Sequence, residues 1–476
     1  MRLPITADYV DFHAARNPRR AALVESSGRV TYAELAMLVR RCAIELQALG
    51  VRRGQRVAVA GSGLGLELVL LLAAEGLGAA TASFGATDDS AAPALWPHVD
   101  WVFCATPLDI PAPARFFLTD HAFVTRLRQP LLVQPPAWTP VEPAEGQRLL
   151  RTSGSTGAPK VMLVSRAGQD WWIRCALESW QADRGDDSRV VLLCPLVVSG
   201  GFMRAHAVLR QGGSLVMAPP GELERIAPTS VLGLPVHVER LLRELPAEFQ
   251  ARRPIRVGTL GAPAGGQLRD HAATLLGGPV FNRYGCNETG PVCDEVDGRG
   301  VGTVRPGVEV RILDGQGRAL RPGEQGVIAV RTPAMVDGYL SDSDATGASF
   351  RNGWFHTGDI GALLAPRVLR IDGRHDAMLN FGGIKAPATL AESQVAAVEG
   401  VAECAVLSVV LDQGLAIGIA VVLAGGAKRD DVVPRVQQAV PVGAGVALAV
   451  ACLPSLPRLT GGKVDRPALL RIFRGG

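Results

Sequence analysis

RTSGSTGAPK, residues 151–160, crowds two glycines, four hydroxyl side chains, a proline and one ammonium into one short stretch. Glycine lets a ligand approach the main chain and tolerates positive φ. Consecutive N–H groups in such a loop form an anion-binding concavity. Thr152, Ser153, Ser155 and Thr156 add donors for phosphate oxygens, Gly154 and Gly157 give the backbone its freedom, and Lys160 adds a charge. A polyphosphate is the ligand this composition fits. It is not the G-x-x-x-x-G-K-[ST] loop, because Pro159 separates the last glycine from the lysine and no hydroxyl follows. VMLVS (161–165) follows at once as a buried strand, which argues against a flexible linker.

The rest of the chain bounds the possibilities. A length of 476 residues exceeds what one core holds and predicts two or three domains. Apolar residues make up 47 % and charged residues 20 %, as in a packed globular protein. A net charge of +4 without a basic run gives no electrostatic case for nucleic acid or an anionic membrane. The N-terminal MRLPITADYVDFHAARNP has no apolar stretch of the secretory kind. The most apolar window, GSGLGLELVLLLAAEGLGAA (61–80), carries Glu67 and Glu75, acids that a membrane span disfavours. A buried helix is expected there. Eight cysteines at irregular spacing, with no C-x-x-C pair, predict small core hydrophobes in a reducing, cytoplasmic setting. Only four of the 49 basic residues are lysines: Lys160, Lys385, Lys428 and Lys463. A chain this rich in arginine is expected to keep lysine where a compact ammonium is needed and a planar fork does not serve.

Thr31 and Glu34 in VTYAELAMLVRRCAIELQALG (30–50) stand in capping-box spacing. Leu35, Leu38, Cys42, Leu46 and Leu49 mark one helical face, and Gly50 is placed to stop the helix. RVAVA (56–60) then predicts a short buried strand, followed by the apolar helix. The alternation recurs through SRVVLLCPL and SLVMA, so the first ~280 residues read as α/β with largely parallel sheets. Residues 106–145 are proline-rich and weakly periodic, and are expected to be surface connection. Further on, GTVRPGVEVRILDG, GVIAVR and RVLRIDGR are short alternating strands separated by glycine turns. The C-terminal part is expected to be a small α+β unit with a hairpin around Asp412–Gly414. The domain break is placed near DGRHD (372–376), giving residues 1–372 and 373–476.

Four more segments follow the glycine-rich loop: NRYGCNETG (282–290), GWFHTGDI (353–360), DGRHDAMLNFGGIKAPATLAE (372–392) and PRLTGGKVDR (457–466). With RTSGSTGAPK they resemble, in order, the motifs of the adenylate-forming superfamily of acyl- and aryl-CoA synthetases, peptide-synthetase adenylation domains and beetle luciferases. Those motifs are the phosphate loop, the Tyr-Gly-x-Thr-Glu segment, the ribose-binding aspartate segment, the hinge and the C-terminal lysine loop. VTYAEL and GEQGVIAV match weaker segments, so the resemblance spans nearly the whole chain. It implies an α/β fold: a large N-terminal lobe of αβα sheets plus a small β-barrel-like part, and a small mobile α+β C-terminal domain.

The reaction so implied is attack of a carboxylate on the α-phosphorus of ATP, leaving an acyl-adenylate and pyrophosphate. Two anions must meet, so catalysis is mostly positioning and charge neutralisation. Mg²⁺ bridging phosphate oxygens would contribute to both. By resemblance Glu288 and Thr156 hold that metal and Tyr284 stacks on adenine. Asp359, joined by Arg374, accepts from both ribose hydroxyls. Lys463, on the C-terminal glycine loop, would reach between carboxylate and α-phosphate as the catalytic cation; removing such a donor costs on the order of 10²–10³ in rate. Asp376 matches the hinge about which the small domain swings after adenylation. Gly383 matches the point where relatives pass a pantetheine arm along the backbone. A second step to a thioester is implied, with coenzyme A or the phosphopantetheine of an acyl carrier protein as acceptor.

The chain also departs from the pattern. Asn287 replaces the usual threonine, and its amide can still donate to the adenylate; Lys385 replaces an arginine. CPLVVSGGF (194–202) lacks the aspartate that holds an α-amino group, and the histidine or aromatic common in acyl-CoA synthetases. An ordinary α-amino acid is disfavoured. By resemblance the acid pocket is lined by Val198, Ser199, Gly200, the segment GLPVH (233–237), Gly261, Ala262, Arg283 and Gly285; His206 is a further candidate, although a lone histidine is more often structural. The small side chains there leave room for a ring. Arg283 precedes the Tyr-Gly pair as in malonyl-CoA synthetases, where it meets a second carboxylate; arginine is also common there without that role. The expected activity is AMP-forming ligation of an aryl or short acyl acid to coenzyme A. The alternative keeps the first step but uses a carrier-protein thiol, an amine, or a non-carboxylate oxyacid such as nitrite.

Overall fold

Thr31 starts the helix Tyr32–Leu49 as its spacing predicts: its N–H donates to Glu34 Oε2 at 2.7 Å, and the Glu34 N–H donates to Thr31 Oγ1 at 3.2 Å. Gly50 ends it in the left-handed region, at φ 102°. Leu35, Cys42 and Leu46 are buried, Leu38 and Leu49 are half-buried, and Val39 joins the inner face. The computed structural model describes residues 3–26, 28–61, 63–85, 89, 91–152, 159–179, 188–374, 378–380, 385–411, 414–440, 447–458 and 464–473. Ser153, Gly154, Ser155, Thr156, Gly157, Asp376, Gly383 and Lys463 lie outside them.

The chain forms two units, residues 1–298, 305–309 and 331–355, and residues 299–304, 310–330 and 356–476. In the first, one sheet runs Tyr339–Leu340, Lys160–Ser165, Gly146–Thr152, Ala80–Ser83, Arg56–Ala60, Trp101–Cys104, Arg115–Leu118. It is parallel except where 160–165 meets its neighbours. A second contains, in order, Gly290–Val296, Val280–Cys286, Arg256–Thr259, Ser230–Gly233, Arg189–Leu192, Ser214–Met217, Ala21–Glu25 and Gly28–Thr31. Its middle pairs are parallel.

Helices Thr6–Arg16, Tyr32–Leu49, Leu64–Gly76, Arg166–Ser179 and Ser199–Gln211 share one core with strands of both sheets. Pro235–Glu244 and Gly266–Leu276 pack in a separate core against the second sheet. The layered α/β expectation is met. The apolar window forms the helix Leu64–Gly76, buried from Leu68 onward. Its Glu75 accepts from Gln169 Nε2 at 3.1 Å and from Thr81 Oγ1 at 3.4 Å. Among the described residues no helix is long and apolar enough to cross a membrane.

Residues 106–145 depart from expectation, carrying the strand Arg115–Leu118 and the helix His121–Leu127. The strand pairs in parallel with Trp101–Cys104. Asp120 caps the helix by accepting from the Phe123 N–H at 2.8 Å, and Phe123 meets Phe117 edge-on at 5.4 Å. Elements this short give no readable period.

The second unit holds most of the short glycine-separated strands, in the order Glu309–Leu313, Gly326–Arg331, Trp354–Ala365, Val368–Arg374, Val301–Val304. It also holds a three-stranded sheet, Val401–Leu411, Gly414–Leu423 and Ala447–Leu453, packed with helices Ala388–Ala396, Arg429–Ala439 and Arg466–Phe473. Leu411 pairs with Gly414, at the expected hairpin. The break expected at 372/373 falls inside this unit, because strand pairing ties 301–304 and 354–365 to 368–374.

Candidate active site

Two hairpins of the first unit carry several of the described candidate residues. In the first, Gly146–Thr152 pairs antiparallel with Lys160–Ser165, and Thr152 stands opposite Lys160. The two described ends of the phosphate-loop motif are therefore neighbours at the end of a sheet. Arg151 anchors that end. Its Nη1 and Nη2 reach Asp89 Oδ1 and Oδ2 at 3.0 and 2.7 Å, and Nη2 reaches the Ser83 carbonyl at 3.4 Å. Asp89 also accepts the Gly85 and Ala91 N–H groups at 2.8 and 3.2 Å. Burial alone would raise the Asp89 carboxyl, but Arg151 and the Gly85 amide outweigh it and hold it below the usual range.

In the second hairpin Val280–Cys286 pairs with Gly290–Val296, and Cys286 faces Gly290. Gly285 is obligatory: a Cβ there would lie 2.5 Å from the Gly290 carbonyl oxygen. The turn between presents Asn287 and Glu288. Asn287 Nδ2 donates to the Arg151 carbonyl at 2.7 Å, and its Oδ1 accepts from Ser199 Oγ at 2.6 Å. Glu288 is 7 % exposed, and its Oε1 accepts from Tyr339 OH at 2.9 Å. The Val336 N–H donates to the Glu288 carbonyl at 2.9 Å, and Thr332 Oγ1 donates to the Thr289 carbonyl at 2.6 Å. Burial, then the Glu288 charge, pushes the Tyr339 phenol well up, so it stays an O–H donor. Lys160 Nζ lies 4.9 Å from the Tyr339 ring centre, within cation–π range. Tyr284 is half-buried on the strand opposite Cys293.

Ser199 and Gly200 open the helix Ser199–Gln211, preceded by Val198. The room expected for a ring at Gly200 is taken up by packing: a Cβ there would lie 2.7 Å from Leu260 Cδ2, and one at Gly201 would lie 2.8 Å from Cys194 Cβ. Gly261, at φ 83°, approaches Leu234 Cδ2 in the same way, at 2.9 Å. Gly261 and Ala262 are exposed. Leu260 and Leu234 thus pack against two glycines of the segments by which the pocket was first outlined.

His206 sits in the core instead. It is 0 % exposed, with Nδ1 2.8 Å from Thr6 Oγ1 and its ring 4.1 Å from Phe202. Its helix is buried from Gly201 to Arg210, so a place on that helix does not mean a place in a pocket. Burial, with Arg210, Arg148 and Arg166 nearby, holds its pKa well below the ordinary value. Arg283 meets a protein carboxylate: its Nε is 3.6 Å from Asp294 Oδ1. Arg305 shares Asp294 and reaches Glu178 Oε2 at 2.9 Å and Ser179 Oγ at 2.7 Å. Burial lowers the Arg283 guanidinium to about 10, against the pull of Asp294.

In the second unit Asp359 pairs with Arg374 across two strands, with Oδ1 3.7 Å from Nη1. Arg374 Nη1 donates to the Thr357 carbonyl at 2.8 Å, and the Asp359 N–H donates to Thr357 Oγ1 at 3.0 Å. The aspartate and arginine of two motifs separated in sequence are thus brought together. Tyr339, Asp89 and Leu260 were not foreseen. No periodicity or motif marks them.

Residues 10–88 and 123–340 match the family described as "AMP-binding enzyme". The chain belongs to that family. Indoleacetate–CoA ligase of Aromatoleum aromaticum (strain DSM 19018 / LMG 30748 / EbN1) is 26 % identical over 423 residues, covering 79 % of this chain and 80 % of the relative. Feruloyl-CoA synthase of an Amycolatopsis species is 27 % identical over 454 residues, covering 88 % of each. The crystal structure of ATP-bound MatB from Rhodopseudomonas palustris superposes with a TM-score of 0.82 at 23 % identity, covering 100 % of this chain and 99 % of that one. The fold is that of adenylate-forming enzymes, and the chain is an AMP-forming acid–thiol ligase.

Proposed function

We propose that this ligase activates an aryl or short acyl acid with MgATP and passes the acyl group to coenzyme A. The observation that carries the proposal is the meeting of the Asn287–Glu288 turn, Tyr339 and both ends of the phosphate-loop hairpin in one unit. The relatives named for indoleacetate and ferulate point the same way. Arg283 is engaged by Asp294, which favours an acid with a single carboxylate.

Mg²⁺ is bound by one or two carboxylates plus substrate phosphates rather than by an all-protein cage. Glu288 suits that: a carboxylate little exposed to water, aligned by a phenol on one oxygen. Among the described residues no group of three or more His, Cys, Asp or Glu side chains could hold a metal by itself. The ion would draw charge from the phosphate oxygens and leave pyrophosphate a better leaving group. Lys160, at the sheet end, adds positive charge beside the loop. Asp359 offers carboxylate oxygens to ribose hydroxyls, held by Arg374. The acid's oxygen attacks the α-phosphorus and the bond to pyrophosphate breaks, with Lys463 placed by its motif to offset the charge. Gly383, by its motif, admits the thiol. The eight cysteines are free, in keeping with a reducing cytoplasm.

Incubation with ATP, Mg²⁺, coenzyme A and a panel of aryl and short acyl acids, followed by mass analysis, should give an acyl-CoA and AMP. An acyl group delivered only to a holo-carrier protein or an amine would remove coenzyme A from the assignment.

A further inference from the structure

Asn287 gives both ends of its amide to the protein. A main-chain carbonyl only accepts, so the bond to Arg151 fixes the NH₂ group on that side and leaves Oδ1 for the Ser199 hydroxyl. The three residues belong to three different segments: the strand end before the phosphate loop, the first turn of Ser199–Gln211, and the hairpin turn that also carries Glu288. The helix has no side-chain cap at Val198, so Ser199 is held from outside the helix. Arg151 is fixed a second time, through its side chain, by Asp89. A threonine or serine at 287 has one hydroxyl and one proton to give. An aspartate cannot donate to the carbonyl. A hydroxyl can donate to the carbonyl and accept from Ser199 only through one oxygen, whereas the amide serves the two from separate atoms.

We infer that Asn287 is a positioning residue: it ties the acid-pocket helix at Ser199 to the phosphate-loop strand at Arg151, so that the order of one segment sets nucleotide affinity at the other. This rests on the nucleotide-binding reading of the hairpin given above. It also changes the expected role of Asn287, whose amide is engaged by protein rather than offered to the adenylate.

The test uses the full chain and MgATP alone as probe. Ser199→Ala removes a hydroxyl bonded to the amide, Asn287→Ala removes both bonds, and Ser199→Thr keeps the hydroxyl as the rescue. Amide hydrogen exchange without ligand, read on peptides covering 146–165, reports the tie itself. Exchange should quicken in Ser199→Ala and in Asn287→Ala, and return to the wild-type rate in Ser199→Thr. Loss of one neutral hydrogen bond is worth about a three- to tenfold change, so MgATP affinity should fall by that factor in Ser199→Ala. The double variant should bind as Asn287→Ala does. Unchanged exchange in both alanine variants would overturn the inference. So would faster exchange with unchanged MgATP affinity, or effects that multiply in the double variant. Thermal unfolding of Asn287→Asp, of nearly the same shape, covers the case in which Asn287→Ala does not fold. If wild type binds no MgATP, the nucleotide reading fails and the inference falls with it, while the exchange data still report whether the tie exists.

Discussion

The first unit contains two charged clusters, one deep in the core and one at a hairpin turn. In the core Arg148 is 1 % exposed. It donates to Thr81 Oγ1 at 3.2 Å, Ser83 Oγ at 2.8 Å and the Leu196 carbonyl at 3.2 Å, and lies 3.8 Å over the Phe202 ring. Arg210 reaches Asp170 Oδ1 at 2.6 Å, and Glu75 and His206 complete the group. At the hairpin turn, by contrast, Tyr339 is the one side chain among the described residues that bonds Glu288, and Lys160 rests against an aromatic face at a sheet end. A charge matched inside the protein contributes to folding. On the proposed function, a charge aligned by one neighbour at the turn is the one left to act on a ligand.

That contrast can be broken by experiment. Arg148→Met should produce the largest loss of stability, about 3–5 kcal/mol by urea unfolding, because it strips one member from a buried ionic group. A variant as stable as wild type would mean that the core group is dispensable. Glu288→Gln should do the reverse: acid-dependent pyrophosphate exchange should fall on the order of 10²-fold, with stability within about 1 kcal/mol of wild type. Gly285→Ala should cost about 1–3 kcal/mol and activity as well, since its Cβ would press on the Gly290 carbonyl and displace the turn.

The smallest effect concerns Glu67, on the core side. Burial raises its carboxyl to about 7, against a hydrogen bond from Ser83 and the charge of Arg148. A carboxyl raised in the folded state stabilises fully below its unfolded value, and that contribution is lost as pH rises through 7. Wild type should therefore lose Tm relative to Glu67→Gln between pH 5 and about 8. Parallel pH profiles for the two proteins would show that Glu67 titrates as it does in water.

The sequence made one cluster visible and hid the other. Thr31, Glu34 and Gly50 fix a helix because capping is local. Asn287 and Glu288 were visible through a motif, and the hairpin that presents them follows from Gly285 and Gly290. Arg148 was not visible, since in GQRLLRT an arginine reads as a solvent-facing strand position, whereas it is buried. Tyr339 reaches Glu288 across 51 positions, and Leu260 meets Gly200. Such contacts depend on tertiary packing, which has no periodic trace. His206, weighed between cavity and core, proves to be a core residue through its contact with Thr6, which is likewise distant in sequence.

The central claim is that an acid displaces pyrophosphate from ATP with the help of the Lys463 ammonium. Exchange of labelled pyrophosphate into ATP, with a panel of aryl and short acyl acids, tests it on wild type and Lys463→Ala side by side. The account predicts acid-dependent exchange in wild type and a loss on the order of 10²–10³ in the folded variant. Equal rates in the two proteins, or no exchange with any acid from a wild type that binds MgATP, would contradict it.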